Sequence, residues 1–178
     1  LYISAKIIFA MKKIYGAKER QDGLYSIGRN KWEVFFGFWK DNEEDENGFN
    51  LRKKYTKKPT NEEIISDIFD ALNKMCDDKI LSGHTFKGMP VWLSKENQSN
   101  YETARNIARD TNGESLPETF KFGGDFDLYL YDFKTFEDID DFYMGCYRFI
   151  KQCLAECWAY KAEALALFPV ANISLPEL

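Results

Sequence analysis

The 178-residue sequence predicts an α+β protein of three successive β-hairpin–helix units, an antiparallel sheet packed by helices and a long C-terminal helix. Three observations predict it. Alternating apolar runs come in pairs around turn residues. Each pair is followed by a Ser or Thr in a helix-start pattern. The last apolar stretch repeats at steps of three and four for many turns.

The first unit begins near Lys31. Trp32, Val34, Phe36 and Phe38 alternate along one strand face, with Phe35 and Trp39 on the other. The acidic stretch 41–48 is the turn, and a second strand covers 49–58. Thr60 then caps a helix, and Glu63 closes a capping box. Ile64, Ile65, Ile68, Phe69, Leu72 and Cys76 form its apolar stripe. The second unit has a strand over 80–86, a turn at Lys87 and Gly88, and a return through Val91, Trp92 and Leu93. Pro90 marks an edge or a bulge. Ser94 caps a helix whose apolar positions are Tyr101, Ala104, Ile107 and Ala108, and Asn112 with Gly113 ends it.

The third unit has strands over 119–122 and 128–133 around Gly123 and Gly124. Thr135 and Asp138 start the last helix. Phe136, Ile139, Tyr143, Cys146, Ile150, Cys153, Cys157, Tyr160, Ala164 and Leu167 form a heptad-like seam, widened by Phe142, Phe149 and Trp158. Packing across the chain's own sheet and pairing between subunits both give this spacing. Pro169 ends the helix. The implied organisation is an N-terminal hairpin–helix region over 1–77, a hairpin–helix–hairpin–helix domain over 78–168 and a tail over 169–178. Met11 reads as a natural start, with residues 1–10 as an upstream addition.

Hydrophobic residues make up 44% and charged residues 30%, so the chain has the composition of a folded domain. Aromatics reach 16%, more than one small core hides easily, which points to a partner interface. One histidine, His84, leaves little room for a His-based zinc site or a Ser-His-Asp triad. Glycine-rich phosphate loops are missing. Residues 1–60 carry 13 Lys and Arg against 8 Asp and Glu, whereas 61–178 carry 11 against 21. That acidic majority argues against general nucleic-acid binding. Cys76, Cys146, Cys153 and Cys157 contain no C-x-x-C pair, and reduced, buried thiols are the reading taken. No stretch is long enough for a membrane span.

The candidate sites weaken on inspection. Aligning Gly48 with the glycine of a calcium loop places Lys54 where a bidentate Glu is needed. The basic run 52–58 is explained by cross-strand neutralisation from the acidic turn. Ser82 and His84 lack a placed acid. Glu137, Asp138, Asp140 and Asp141 suit the positive end of a helix. No catalytic, metal or cofactor residue is therefore expected. Binding is expected through the last helix and the aromatics of the hairpins, with Phe35, Trp39, Trp92, Tyr143, Ile150 and Tyr160 as candidate interface residues.

The stretch 78–101 carries a further signal. It contains a strand ending Thr85-Phe86, the Lys87-Gly88 turn, Val91-Trp92-Leu93, and a polar helix start at Ser94, Asn97, Gln98 and Asn100. A short strand over 116–122 and a final helix over 142–154 follow. Over about 78–160 this pattern resembles an uncharacterised domain family of phage and prophage proteins found near tail-fibre and tail-assembly proteins. The resemblance implies a non-enzymatic accessory or structural protein with no cofactor, in the host cytoplasm or the virion. The excess aromatics and the long apolar helix, and not the resemblance, point to binding of a tail or fibre protein or to self-association as a dimer or trimer, while the charge and the apolar stretches point to neither nucleic acid nor membrane. The alternatives are a glycan-binding module and a small carbohydrate-active hydrolase with two carboxylates converging in a cleft.

Overall fold

In the computed structural model, residues 10–124 and 126–171 are described. The expectations for the first nine residues and for the tail from 172 lie outside them. The chain divides into two compact lobes. Among the described residues, a sheet lobe holds 10–74 with 157–171, and a hairpin lobe holds 75–156. The expected boundary after 77 lies beside this division, while the end of the last helix groups with the sheet lobe.

The sheet lobe contains β1 (Lys12–Ala17), β2 (Gly23–Gly28), β3 (Lys31–Trp39) and β4 (Gly48–Tyr55), followed by α1 (Asn61–Ser82). The strands form one antiparallel sheet in the order β1-β4-β3-β2. Register places Val34, Phe36, Leu51 and Lys53 on one face. On that face Val34, Phe36 and Leu51 are buried, as are Ile64, Ile65, Ile68 and Leu72 of α1. Asp67 of α1 reaches β4, accepting from Lys53 Nζ at 2.6 Å and from the Tyr55 hydroxyl at 2.6 Å. Burial and that carboxylate raise the Tyr55 pKa strongly.

A bulge interrupts β3 at Gly37, whose φ of 66° suits glycine and where a Cβ would collide with the Trp39 ring. Its backbone is held from both sides. The fully buried Asn50 donates to its carbonyl at 2.6 Å, and Asp22 accepts from its N–H at 2.6 Å.

The hairpin lobe receives the rest of α1, then β5 (His84–Phe86), β6 (Met89–Val91), α2 (Lys95–Asp110), β7 (Glu118–Phe122), β8 (Tyr129–Phe133) and the first part of α3 (Phe136–Leu167). Its core is aromatic. Phe142 of α3 lies 4.9–5.3 Å from the rings of Phe86, Tyr101, Phe122 and Phe133. One α3 side chain thereby joins β5, α2, β7 and β8.

The hairpin–helix order is the one expected, with corrections. Residues 80–82 continue α1 instead of starting a strand, so the first strand of the second hairpin is three residues long. The Gly83 amide donates to Lys79 O at 2.8 Å, and a Cβ at Gly83 would lie 2.5 Å from that carbonyl, so glycine permits the tight exit. Ile107, expected on the apolar side of α2, is exposed, while Tyr101 and Ala108 are buried. The α3 seam is filled by the chain itself: Ile139, Cys146, Cys153, Cys157 and Ala164 are all buried within their own lobes. Within the basic run, Lys53 and Lys57 pair with Asp67 and Glu63 of α1, and not with the acidic turn.

Candidate protein-binding surface

The β7–β8 hairpin is a two-stranded sheet, so β8 pairs with β7 alone. Its register separates two sets of side chains. Phe133, Tyr131 and Tyr129 share a face with Phe122 and Phe120, and Phe133 and Phe122 are fully buried. The opposite parity carries Leu130, beside Lys121. Two and four residues before it come Leu128 and Phe126, and all three are strongly exposed, at 60%, 72% and 103%. A hairpin resting on one core buries one face. Here the other face carries Thr119, Lys121 and Asp132 with Leu130, and the exposed apolar cluster runs from Leu130 into the connection before β8, beside a strand edge that β7 does not cover.

A second feature lies on the same lobe. Leu93, Tyr101, Glu102, Tyr143, Tyr147 and Ile150 line a groove of about 240 Å³ at α2 and α3. Burial pushes the Tyr101 phenol and the Cys146 thiol, which also line it, each up to about 12. Cys146 is therefore a protonated, apolar wall at neutral pH, with no nucleophilic role. Arg105 of α2 sits 5.0 Å from the Tyr143 ring and pairs with Asp140 at 2.5 Å, which fixes the rim.

The candidate interface residues separate into three places. Tyr143 and Ile150 share the groove, both half-buried. Trp92 is half-exposed beside the Ser94 cap, its carbonyl accepting from the Asn97 amide at 2.8 Å. Phe35, Trp39 and Tyr160 belong to the sheet lobe. There Phe35 and Trp39 are not the exposed aromatics expected of the first hairpin. Phe35 lies under the Arg52 guanidinium, 4.1 Å from its ring centroid. Trp39 stacks on Phe49 at 5.7 Å and meets Tyr160 edge-on at 5.1 Å, so both close their own lobe.

The β8 patch was missed as a site, although its signal is in the sequence. From 126 to 133 both parities are apolar apart from Asp127 and Asp132. A strand with one solvated face would read otherwise.

The remaining polar candidates have local partners. Asp138 accepts from the Tyr131 hydroxyl at 2.8 Å and pairs with Lys87 at 3.4 Å, while Asp140 is held by Arg105. These carboxylates bind cations and a phenol. In the acidic turn, Asp45 accepts from the Asn42 amide at 2.9 Å. Among the described residues no group of three His, Cys, Asp or Glu side chains is arranged to hold a metal, and no helix is long and apolar enough to cross a membrane. Comparison of the chain with protein-family models, curated proteins and solved structures finds no match in any of the three.

Proposed function

We propose that the chain is a non-enzymatic accessory protein of a phage or prophage, acting in the host cytoplasm or the virion by binding a tail or fibre protein. The observation that carries the binding role is the apolar tip of the β7–β8 hairpin beside the free edge of β8, where Phe126 and Leu128 of the connection and Leu130 of β8 are exposed. Exposed apolar edge strands are templates for an added strand, whose backbone pairs with the edge while alternate side chains cover the apolar row. Burying each of these side chains is worth about 1.5–3 kcal/mol before the costs of association. The α2–α3 groove offers a neighbouring recess for an apolar side chain. The phage context rests on the resemblance of residues 78–160, which nearly coincide with the hairpin lobe.

The test is a binding titration of the purified chain against tail and fibre proteins encoded beside it, using the wild type and Leu128→Asp/Leu130→Asp. The double variant should bind at least tenfold more weakly, with an unchanged circular dichroism spectrum. Equal binding by the two would remove the β8 edge from the interface. Failure of every such protein to bind, with light scattering showing a doubled mass that the variant loses, would make a second copy the occupant and overturn the tail-protein reading.

A further inference from the structure

The outer face of the four-stranded sheet carries cations that form no ion pair among the described residues. Lys12 of β1 stands opposite Arg52 of β4, and Arg52 stands opposite Phe35 of β3. Lys54 follows two residues along, about 7 Å away on the same face and opposite Glu33. The Arg52 guanidinium lies over Phe35, 4.1 Å from its ring centroid, and donates one long hydrogen bond, 3.4 Å to Asn50 Oδ1. Its Nε–H is buried without an acceptor. Other arginines and lysines with restricted exposure hold carboxylates: Lys53 on Asp67, Arg105 on Asp140, Arg20 on Asp22. Among the described residues, Lys12, Arg52 and Lys54 have no carboxylate within ion-pairing distance. All three line one cleft of about 240 Å³, with Ile14 and Glu33 on its walls.

We propose that this cleft is a binding site for the phosphate dianion of a phosphate ester. Three cations against Glu33 leave two positive charges, Lys53 being neutralised by Asp67. That matches the charge of about −1.5 to −2 on a phosphate monoester at neutral pH. A guanidinium offers a planar fork that fits phosphate oxygens, and contact with the Phe35 ring restrains it before the ligand arrives. An organic substituent has a surface to rest on. Tyr25, exposed on β2, lies on the same face opposite Glu33 and meets the Phe35 ring edge-on at 5.2 Å. The basic residues of β4 thus divide by parity. Lys53 is anchored to α1 under the sheet, and Arg52 and Lys54 are left for a ligand above it.

The experiment is calorimetric titration of the whole chain at low salt with inorganic phosphate and with thymidine 5′-monophosphate. Both should bind, the nucleotide more tightly. Arg52→Gln should weaken both at least tenfold. Lys54→Gln, at an exposed position that leaves the fold alone, should weaken both several-fold. Tyr25→Ala should weaken the nucleotide while leaving inorganic phosphate unchanged. An oligothymidylate without terminal phosphates, whose internal diesters carry one charge each, should bind more weakly per phosphate than the monoester. Tighter binding of the strand would overturn the dianion site in favour of a nucleic-acid backbone. No heat with either phosphate, equal binding by natively folded Arg52→Gln and Lys54→Gln, or binding of a glutamate hexapeptide in place of phosphate would overturn it.

Discussion

At the scale of single residues, His84 shows how burial assigns a role that sequence position leaves open. Beside Ser82 it raises the question of a catalytic pair, which the lack of a placed acid argues against. In the structure Ser82 Oγ donates to Asp78 O at 3.0 Å, within α1, and the imidazole packs on the Phe149 ring with centroids 5.0 Å apart. Partial burial lowers the His84 pKa below its ordinary 6.5, because the charged ring loses solvation. The unfolded chain therefore takes up the proton first as pH falls. The stability tied to the neutral ring is full above 6.5 and is lost as pH drops through the lower, folded value. Since the sequence has one histidine, its proton NMR signal is unambiguous. The expected outcome is a native titration midpoint below 6.5 that returns to about 6.5 in urea. A native midpoint at or above 6.5 would show that the ring is solvated or paired with an acid.

At the scale of elements, legibility follows from how local the determining interaction is. Helix starts are local, and they were readable. Thr60 Oγ1 accepts from the Glu63 amide at 3.2 Å, and Glu63 accepts in return from the Thr60 amide at 3.0 Å. Ser94 likewise caps α2 through the Asn97 amide. Thr60→Ala should cost about 1 kcal/mol, seen in thermal unfolding as a fall of about 2–4 °C. Loss of less than 0.3 kcal/mol would mean that packing of the Ile64–Leu72 stripe fixes the helix start without the cap. Features set by distant partners were harder to read. β1 and β2 lack a clean alternating apolar face, because β1 is exposed along most of its length and takes its place from backbone pairing with β4. Their punctuation was nevertheless there, in Gly23, Gly28 and the left-handed Asn30 that turns β2 into β3. The end of α1 was misread because Ile80 and Leu81 suit either a strand or a helix, and the helix continues four residues on from Cys76. Of the candidate interface, the groove residues Tyr143 and Ile150 were legible from helical spacing. The Arg52 cleft needed the register of three strands, which no single segment encodes.

At the scale of the whole molecule, the chain passes twice through the division between its lobes inside a helix. The division falls between Lys74 and Met75 and between Glu156 and Cys157, inside α1 and inside α3. Both helices are continuous there, at 22 and 32 residues. Unfolding one lobe alone would require each helix to end at the division. Each end would expose up to four backbone groups that now bond within the helix, with no cap or glycine at that point to satisfy them. Fraying to a distant stop is equally costly, because the next buried residues, Leu72 and Cys76 in α1 and Cys153 and Cys157 in α3, belong to the two cores. The lobes should therefore unfold together. Trp32, Trp39 and Trp158 report mainly on the sheet lobe, while helical ellipticity draws on α2 and both long helices. In urea, tryptophan fluorescence and far-ultraviolet ellipticity should give superimposable transitions. Phe142→Ala, placed in the hairpin lobe and expected to cost about 3–5 kcal/mol, should shift the fluorescence transition as far as the ellipticity transition. A fluorescence midpoint that stays in place while ellipticity shifts would show that the helices break at the division and that the lobes are independent.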